Sequence, residues 1–188
     1  CFIANAVSYG IVLISLLLMQ LTKYPTLTPS SEKVIQRLKE GIQYIRGKHL
    51  MRTLLILLAI VSFSNASLKT LAPIFAQDVL HGDAKTLGLL MSASGVGAIL
   101  GAIFLTNSKT TPLLSRIVSM TGIMLGVGMI LFAISKSLMI SLIFLAVTGL
   151  AQMMHTACTN TLLQLNVADD KRGRVMSFYT VCLQGTMP

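Results

Sequence analysis

Apolar residues run along the chain in long blocks, and nearly every charge falls in the breaks between them. The first block, Cys1 to Thr22, carries no charged residue, and about 20 such residues suffice for a helix to cross a bilayer. Further blocks run from Thr53 to about Gln77, Thr86 to Thr106, Ile117 to Ile134 and Leu138 to about Val167, and a last one begins at Val175. The pattern predicts an all-α, polytopic transmembrane helix bundle of about six membrane-spanning helices. Lys69 and Pro73 interrupt the second block, Asp78 to Lys85 is expected to turn around Gly82, and Asn107 to Arg116 is expected as a loop. The Leu138 block is longer than a bilayer requires, so its polar end, Asn160 to Asn166, should protrude or face protein.

One long polar stretch separates the first block from the others. Lys23, Lys33, Arg37, Lys39, Arg46, Lys48 and Arg52 stand there against only Glu32 and Glu40. Pro25 and Pro29 break any helix, and Ser30, Ser31 and Glu32 make a new start, an acid being favoured at the positive helix end. From there Ile35, Leu38, Ile42 and Ile45 recur at helical spacing while Lys33, Arg37, Lys39, Glu40 and Arg46 take the other face. That spacing predicts an amphipathic helix along the inner membrane surface, with a soluble partner helix as the alternative. The expected division is a helix over 1–22, a cytoplasmic linker over 23–49 and a helix bundle over 50–188.

Composition sharpens this picture. Hydrophobic residues make up 54% of the 188 residues and charged ones 11%, against about 25% charged in a soluble domain; the mean hydropathy is +0.78. The net charge of +9 does not point to nucleic acid, because the basic residues share no face with interleaved aromatics. Their distribution orients the chain instead. With the long polar stretch inside, the inner loops also hold Lys109, Arg116, Lys171, Arg172 and Arg174, while only Lys85 and Lys136 lie outside and Lys69 lies within the membrane. Basic residues are retained in cytoplasmic loops, so the asymmetry predicts a multi-pass protein of the inner or plasma membrane. Cys1, Cys158 and Cys182 have no metal or redox spacing, and no metal or cofactor is expected. A chain that starts at Cys1 and stops at Pro188 inside apolar blocks reads as a fragment, with no identifiable signal peptide.

Two stripes of polar residues stand out inside the blocks. Ser62, Asn65 and Lys69 stand at i, i+3 and i+7, and Gln152, His155 or Thr156, and Thr159 repeat that spacing. A charge near mid-membrane costs about 2.5 to 3.5 kcal/mol on insertion scales, which makes Lys69 a functional candidate; snorkelling to the outer surface is its other explanation. His155 could equally be a hydrogen-bonded histidine between helices. Ser94, Gly97 and Gly101, and Gly122 and Gly126, follow small-x-x-x-small spacing, which lets helices approach closely in lipid. The eleven methionines read as pliable filler.

Three segments carry a family resemblance. Glu40-Gly41-Ile42-Gln43-Tyr44-Ile45-Arg46 with Leu50-Met51-Arg52-Thr53-Leu54-Leu55, then Leu71-Ala72-Pro73-Ile74-Phe75-Ala76-Gln77-Asp78-Val79-Leu80, and above all Asp170-Lys171-Arg172-Gly173-Arg174-Val175-Met176-Ser177-Phe178-Tyr179 resemble the second half of a major facilitator superfamily transporter of the drug and siderophore exporter branch. The resemblance covers nearly the whole chain. It implies helices six to ten and part of eleven, the linker between two six-helix halves, and a missing N-terminal half as partner. It also implies that the blocks holding the two polar stripes are helices seven and ten, whose stripes face each other across a central substrate cavity. The substrate-binding candidates are then Ser62, Asn65, Lys69, Gln152, His155, Thr156 and Thr159. Arg172, Gly173 and Arg174 would tie helix ends at the inner surface, ordinary positive-inside retention being the alternative. Gly101 to Arg116 departs from the family by lacking any acid, and no proline precedes the Arg-Gly-Arg turn.

The expected function is secondary active transport of a small molecule by alternating access, in the export direction by resemblance. The rivals are an intramembrane lipid-modifying enzyme and a non-transporting scaffold or receptor. For an enzyme, His49, His81 and His155 have no acid at acyltransferase spacing, and neither H-E-x-x-H nor G-x-S-x-G occurs.

Overall fold

The computed structural model describes residues 2–18, 34–106 and 111–185. Two units are distinguished, 1–33 and 34–188. In the first, α1 (Phe2–Leu18) is an uncharged helix of 17 residues whose described side chains lie largely exposed. Residues 19–22 of the first predicted span, and Pro25 to Glu32, lie outside the described residues.

The second unit holds α2 (Val34–Gly47), α3 (His49–Ile74), α4 (Ala84–Thr106), α5 (Thr111–Ile134), α6 (Leu138–Asn166) and α7 (Arg172–Gln184). Four helical stretches, His49–Val79, Ala84–Thr106, Leu113–Ile134 and Leu138–Asn166, are long and apolar enough to cross a membrane. The predicted number of spans was about six; α1 and α7, with 17 and 13 described residues, fall short of that length. Only 17% of the α4 span is buried, and Ile99, Ile103 and Phe104 point outward, as they must where a helix meets lipid.

One boundary departs from expectation. Thr111 to Arg116, predicted as loop, opens α5, because Pro112 is tolerated in a first helical turn where N–H groups have no partner. Pro73 does not end α3 either. It cannot donate to the carbonyl of Lys69, and the helix continues into a π-helical turn over Phe75–Val79. That turn lays Phe75 against Phe132 of α5 with ring centroids 4.4 Å apart. His81, at φ 49°, then reverses the chain in the left-handed region, and the Asp83 carboxylate accepts the N–H groups of Lys85 and Thr86 at 3.0 and 3.1 Å to start α4.

α6 is the central helix, packed against α4 on one side and α5 on the other. The α4 seam depends on glycine: a Cβ on Gly97 would overlap the carbonyl oxygen of Ala146, one on Gly149 that of Ser94, and one on Gly101 would lie 2.6 Å from that of Leu150. The predicted close approach through Ser94, Gly97 and Gly101 is therefore present. The pair Gly122 and Gly126 is not a seam of this kind. A Cβ on Gly122 would meet side chains alone, Leu57 at 3.6 Å and His155 at 4.0 Å, one on Gly126 would meet nothing within 4 Å, and α5 instead places Gly128 against Thr148.

Apolar packing gathers at both ends of the second unit. One cluster joins Met51, Leu58, Leu162, Leu163 and Val175; another joins Ala76, Leu90, Phe132 and Leu145. Along α3 Asn65 falls between the two, near a third small cluster of Val61, Leu125 and Ala151; on α6 the stripe overlaps the first cluster, whose Met154 and Cys158 alternate with His155 and Thr159.

Candidate functional site

Asn65 and Lys69 follow Leu58 on α3 by two and three helical turns, which carries them past the first apolar cluster and short of the second. There they meet Gln152 and Thr156 of α6 around a cavity of about 230 Å³. Ser94 of α4 and Thr148 of α6 complete its polar lining, while Met129 and Met153 supply apolar walls. A second cavity of about 270 Å³ adjoins it and shares Asn65, Lys69 and Ser94. The Lys69 side chain remains exposed where it lines both.

Hydrogen bonding leaves capacity in this lining. Gln152 Nε2 donates to Thr156 Oγ1 at 3.4 Å, whereas the buried Gln152 Oε1 has no partner among the described residues. Thr148 Oγ1 is already committed to the carbonyl of Leu145 at 2.9 Å. The cavity thus offers an ammonium, an amide carbonyl and an Asn65 amide, a set able to hold a carboxylate or phosphate together with a neighbouring donor.

The three other stripe residues do not line the cavity. Ser62 and Thr159 are buried, and neither hydroxyl has a partner among the described residues. His155, fully buried, turns toward α5: its Nδ1 lies 3.2 Å from the Val118 carbonyl and 3.3 Å from Thr121 Oγ1. A carbonyl only accepts, so Nδ1 carries the proton in that contact, and Nε2 is left without a partner. Between His155 and Thr156, Thr156 takes the cavity position and His155 cross-links two helices. Ser94 and Thr148 were missed as site residues. Thr148, Gln152 and Thr156 recur every four residues, a signal available in the sequence.

At the predicted inner end, the Arg-Gly-Arg turn divides its labour. Arg172 folds back on Asp169 at 2.6 Å within its own turn, and a Cβ on Gly173 would meet nothing within 4 Å. Arg174 instead reaches α2 and pairs with Glu40. The same face of α2 seats Gly41 beneath the Phe178 ring, leaving 2.7 Å for an added Cβ, and buries Ile45. The Tyr44 hydroxyl accepts the Ala168 N–H at 3.2 Å, and Lys48 donates to the Asn166 carbonyl at 3.1 Å while lying 4.9 Å from the Tyr44 ring centroid. Hydrogen bonding from Lys48, then from the Ala168 amide, holds the Tyr44 phenol below its ordinary pKa. The helix predicted to lie along the membrane surface is docked on protein through this face, while Ile42 stays exposed. Among the described residues there is no group of His, Cys, Asp and Glu able to hold a metal.

The family described as transmembrane secretion effector, of the major facilitator type, matches the chain over residues 1–188. No curated protein and no solved structure matches it.

Proposed function

The chain belongs to the transmembrane secretion effector family of major facilitator-type membrane transporters, and from that premise we propose that it forms part of a secondary transporter that exports a small anionic or zwitterionic molecule across the inner or plasma membrane. The observation that carries this is the meeting of Asn65, Lys69, Gln152 and Thr156, from two helices, at one polar cavity. Substrate sites of such transporters lie near the bilayer midplane between two repeats that rock to expose it alternately. The bundle over 50–188 is then part of one moving half, and 23–49 is the linker between the halves. The test is efflux by the full-length protein in sealed vesicles: gradient-dependent movement of an organic anion supports the proposal, whereas product formation independent of a gradient would favour an enzyme.

The basic asymmetry supplies a topological expectation. Cysteines placed at 33, 109 and 171 should resist an impermeant thiol reagent in right-side-out vesicles, while those at 85 and 136 should react; Lys33 and Lys109 lie outside the described residues. Labelling of position 109 from outside would reverse the orientation.

The Glu40 to Arg174 pair ties the linker helix to the start of α7. Both side chains are about one-third exposed, so the pair is worth at most about 1 kcal/mol. Glu40→Arg should slow transport by up to about fivefold at that energy, and adding Arg174→Glu should restore most of the rate. No recovery in the double variant would show that the pair is incidental.

A further inference from the structure

α6 carries a third, very different cavity on the side opposite the polar one. Thr148, Gln152 and Thr156 face the polar cavity; Leu150 and Met154, about 200° around the helix from Gln152, line an apolar groove of about 420 Å³ between α4, α5 and α6. Phe104 of α4 and Met120 and Met124 of α5 line it, and the exposed Arg116 stands at one end. Phe104 and Met120 are 62% and 68% exposed, so the groove opens outward from the bundle.

We infer that this groove binds one acyl chain of an anionic phospholipid from the inner leaflet, with Arg116 holding its phosphate. Three observations fix the occupant. From Arg116 to Met124 is eight residues, or about 12 Å of helix, close to the half of an approximately 30 Å hydrocarbon core that one leaflet supplies. Arg116 lies in the second turn of α5, at the end that the basic asymmetry places in the cytoplasm, where a headgroup would sit. No carboxylate pairs with Arg116 among the described residues, leaving its guanidinium free for a bidentate phosphate contact. Apart from Arg116 at the end and Thr121, whose hydroxyl bonds to the Ile117 carbonyl at 2.7 Å, the lining is apolar, as an alkyl chain requires. Met120, Met124 and Met154 can adjust to chains that differ in shape.

The full-length protein in phosphatidylcholine nanodiscs doped with phosphatidylglycerol photoactivatable on its acyl chain provides the test. Crosslinks should concentrate in residues 113–124, and Arg116→Gln should reduce them about fivefold, equivalent to about 1 kcal/mol for one basic side chain at an anionic surface. Arg116→Lys should keep most of the labelling, and Met120→Trp, which fills the groove while leaving the cation, should abolish it. Equal labelling by photoactivatable phosphatidylcholine, or labelling unchanged in Arg116→Gln, would overturn the inference. So would crosslinks from this groove to a second copy or to another segment of the full chain.

Discussion

Lys69→Met is expected to lower transport by the full-length protein about tenfold or more, the loss that follows from removing a charged hydrogen bond worth about 1.5 to 3 kcal/mol. Its amount in the membrane should not fall. The substitution keeps the length and apolar stem of the side chain, and removes an ammonium whose burial in a bilayer works against insertion. Lys69 lines both polar cavities, so its charge stands where an anionic group would enter. Transport by variant and parent should be compared in vesicles at equal protein, with Asn65→Ala alongside, since Asn65 lines the same two cavities one turn away. Undiminished transport by both variants would mean that this stripe on α3 is a packing or snorkelling face.

Gly97→Leu and Gly149→Val should each prevent accumulation of folded protein. The first atom added at either position overlaps a backbone carbonyl oxygen, of Ala146 or Ser94, so no rotamer change relieves it and α4 must move away from α6. Overpacking in a well-filled core costs about 1 to 3 kcal/mol, and a clash with backbone belongs at the upper end or beyond. Gly95→Ala and Gly126→Ala are the controls, because nothing lies within 4 Å of a Cβ at either position. Detergent-solubilised protein should run as a monodisperse peak for the controls and be lost or aggregated for Gly97→Leu and Gly149→Val. Monodisperse Gly97→Leu at parental yield would mean that the α4 and α6 seam is looser than described.

Much of this was legible in the sequence, for reasons that differ by residue. The long helices follow from uninterrupted apolar length, which only a helix can satisfy in lipid. The cavity side of α3 follows from period 3.6, since Asn65 and Lys69 lie one turn apart. On α6 the same period leaves neighbours such as His155 and Thr156 about 100° apart, and only the position of α5 decides which one meets the cavity. Small-residue spacing marks faces that can approach closely without naming the partner, which is why the Ser94, Gly97 and Gly101 face found α6 and Gly126 found nothing. The amphipathic pattern of α2 likewise records one apolar side without recording whether lipid or protein covers it. Its docking rests on Phe178 and Arg174, well over a hundred residues away in the chain.

The π-helical turn beyond Pro73 sets the phase of the chain where α3 ends. A turn closed from i to i+5 takes in one residue more than an α turn, so everything after it is rotated by one residue's share of the circle, about 100°. Phe75 and Ala76, which open the turn, pack with Phe132 and Leu90 before that rotation takes effect. Losing one residue between Phe75 and Val79 would let the helix run on in its original phase, sparing Asn65 and Lys69 while carrying the His81 to Asp83 reversal around the helix axis. In this protein the length of the segment, more than its composition, keeps the His81 to Asp83 loop aligned with the bundle.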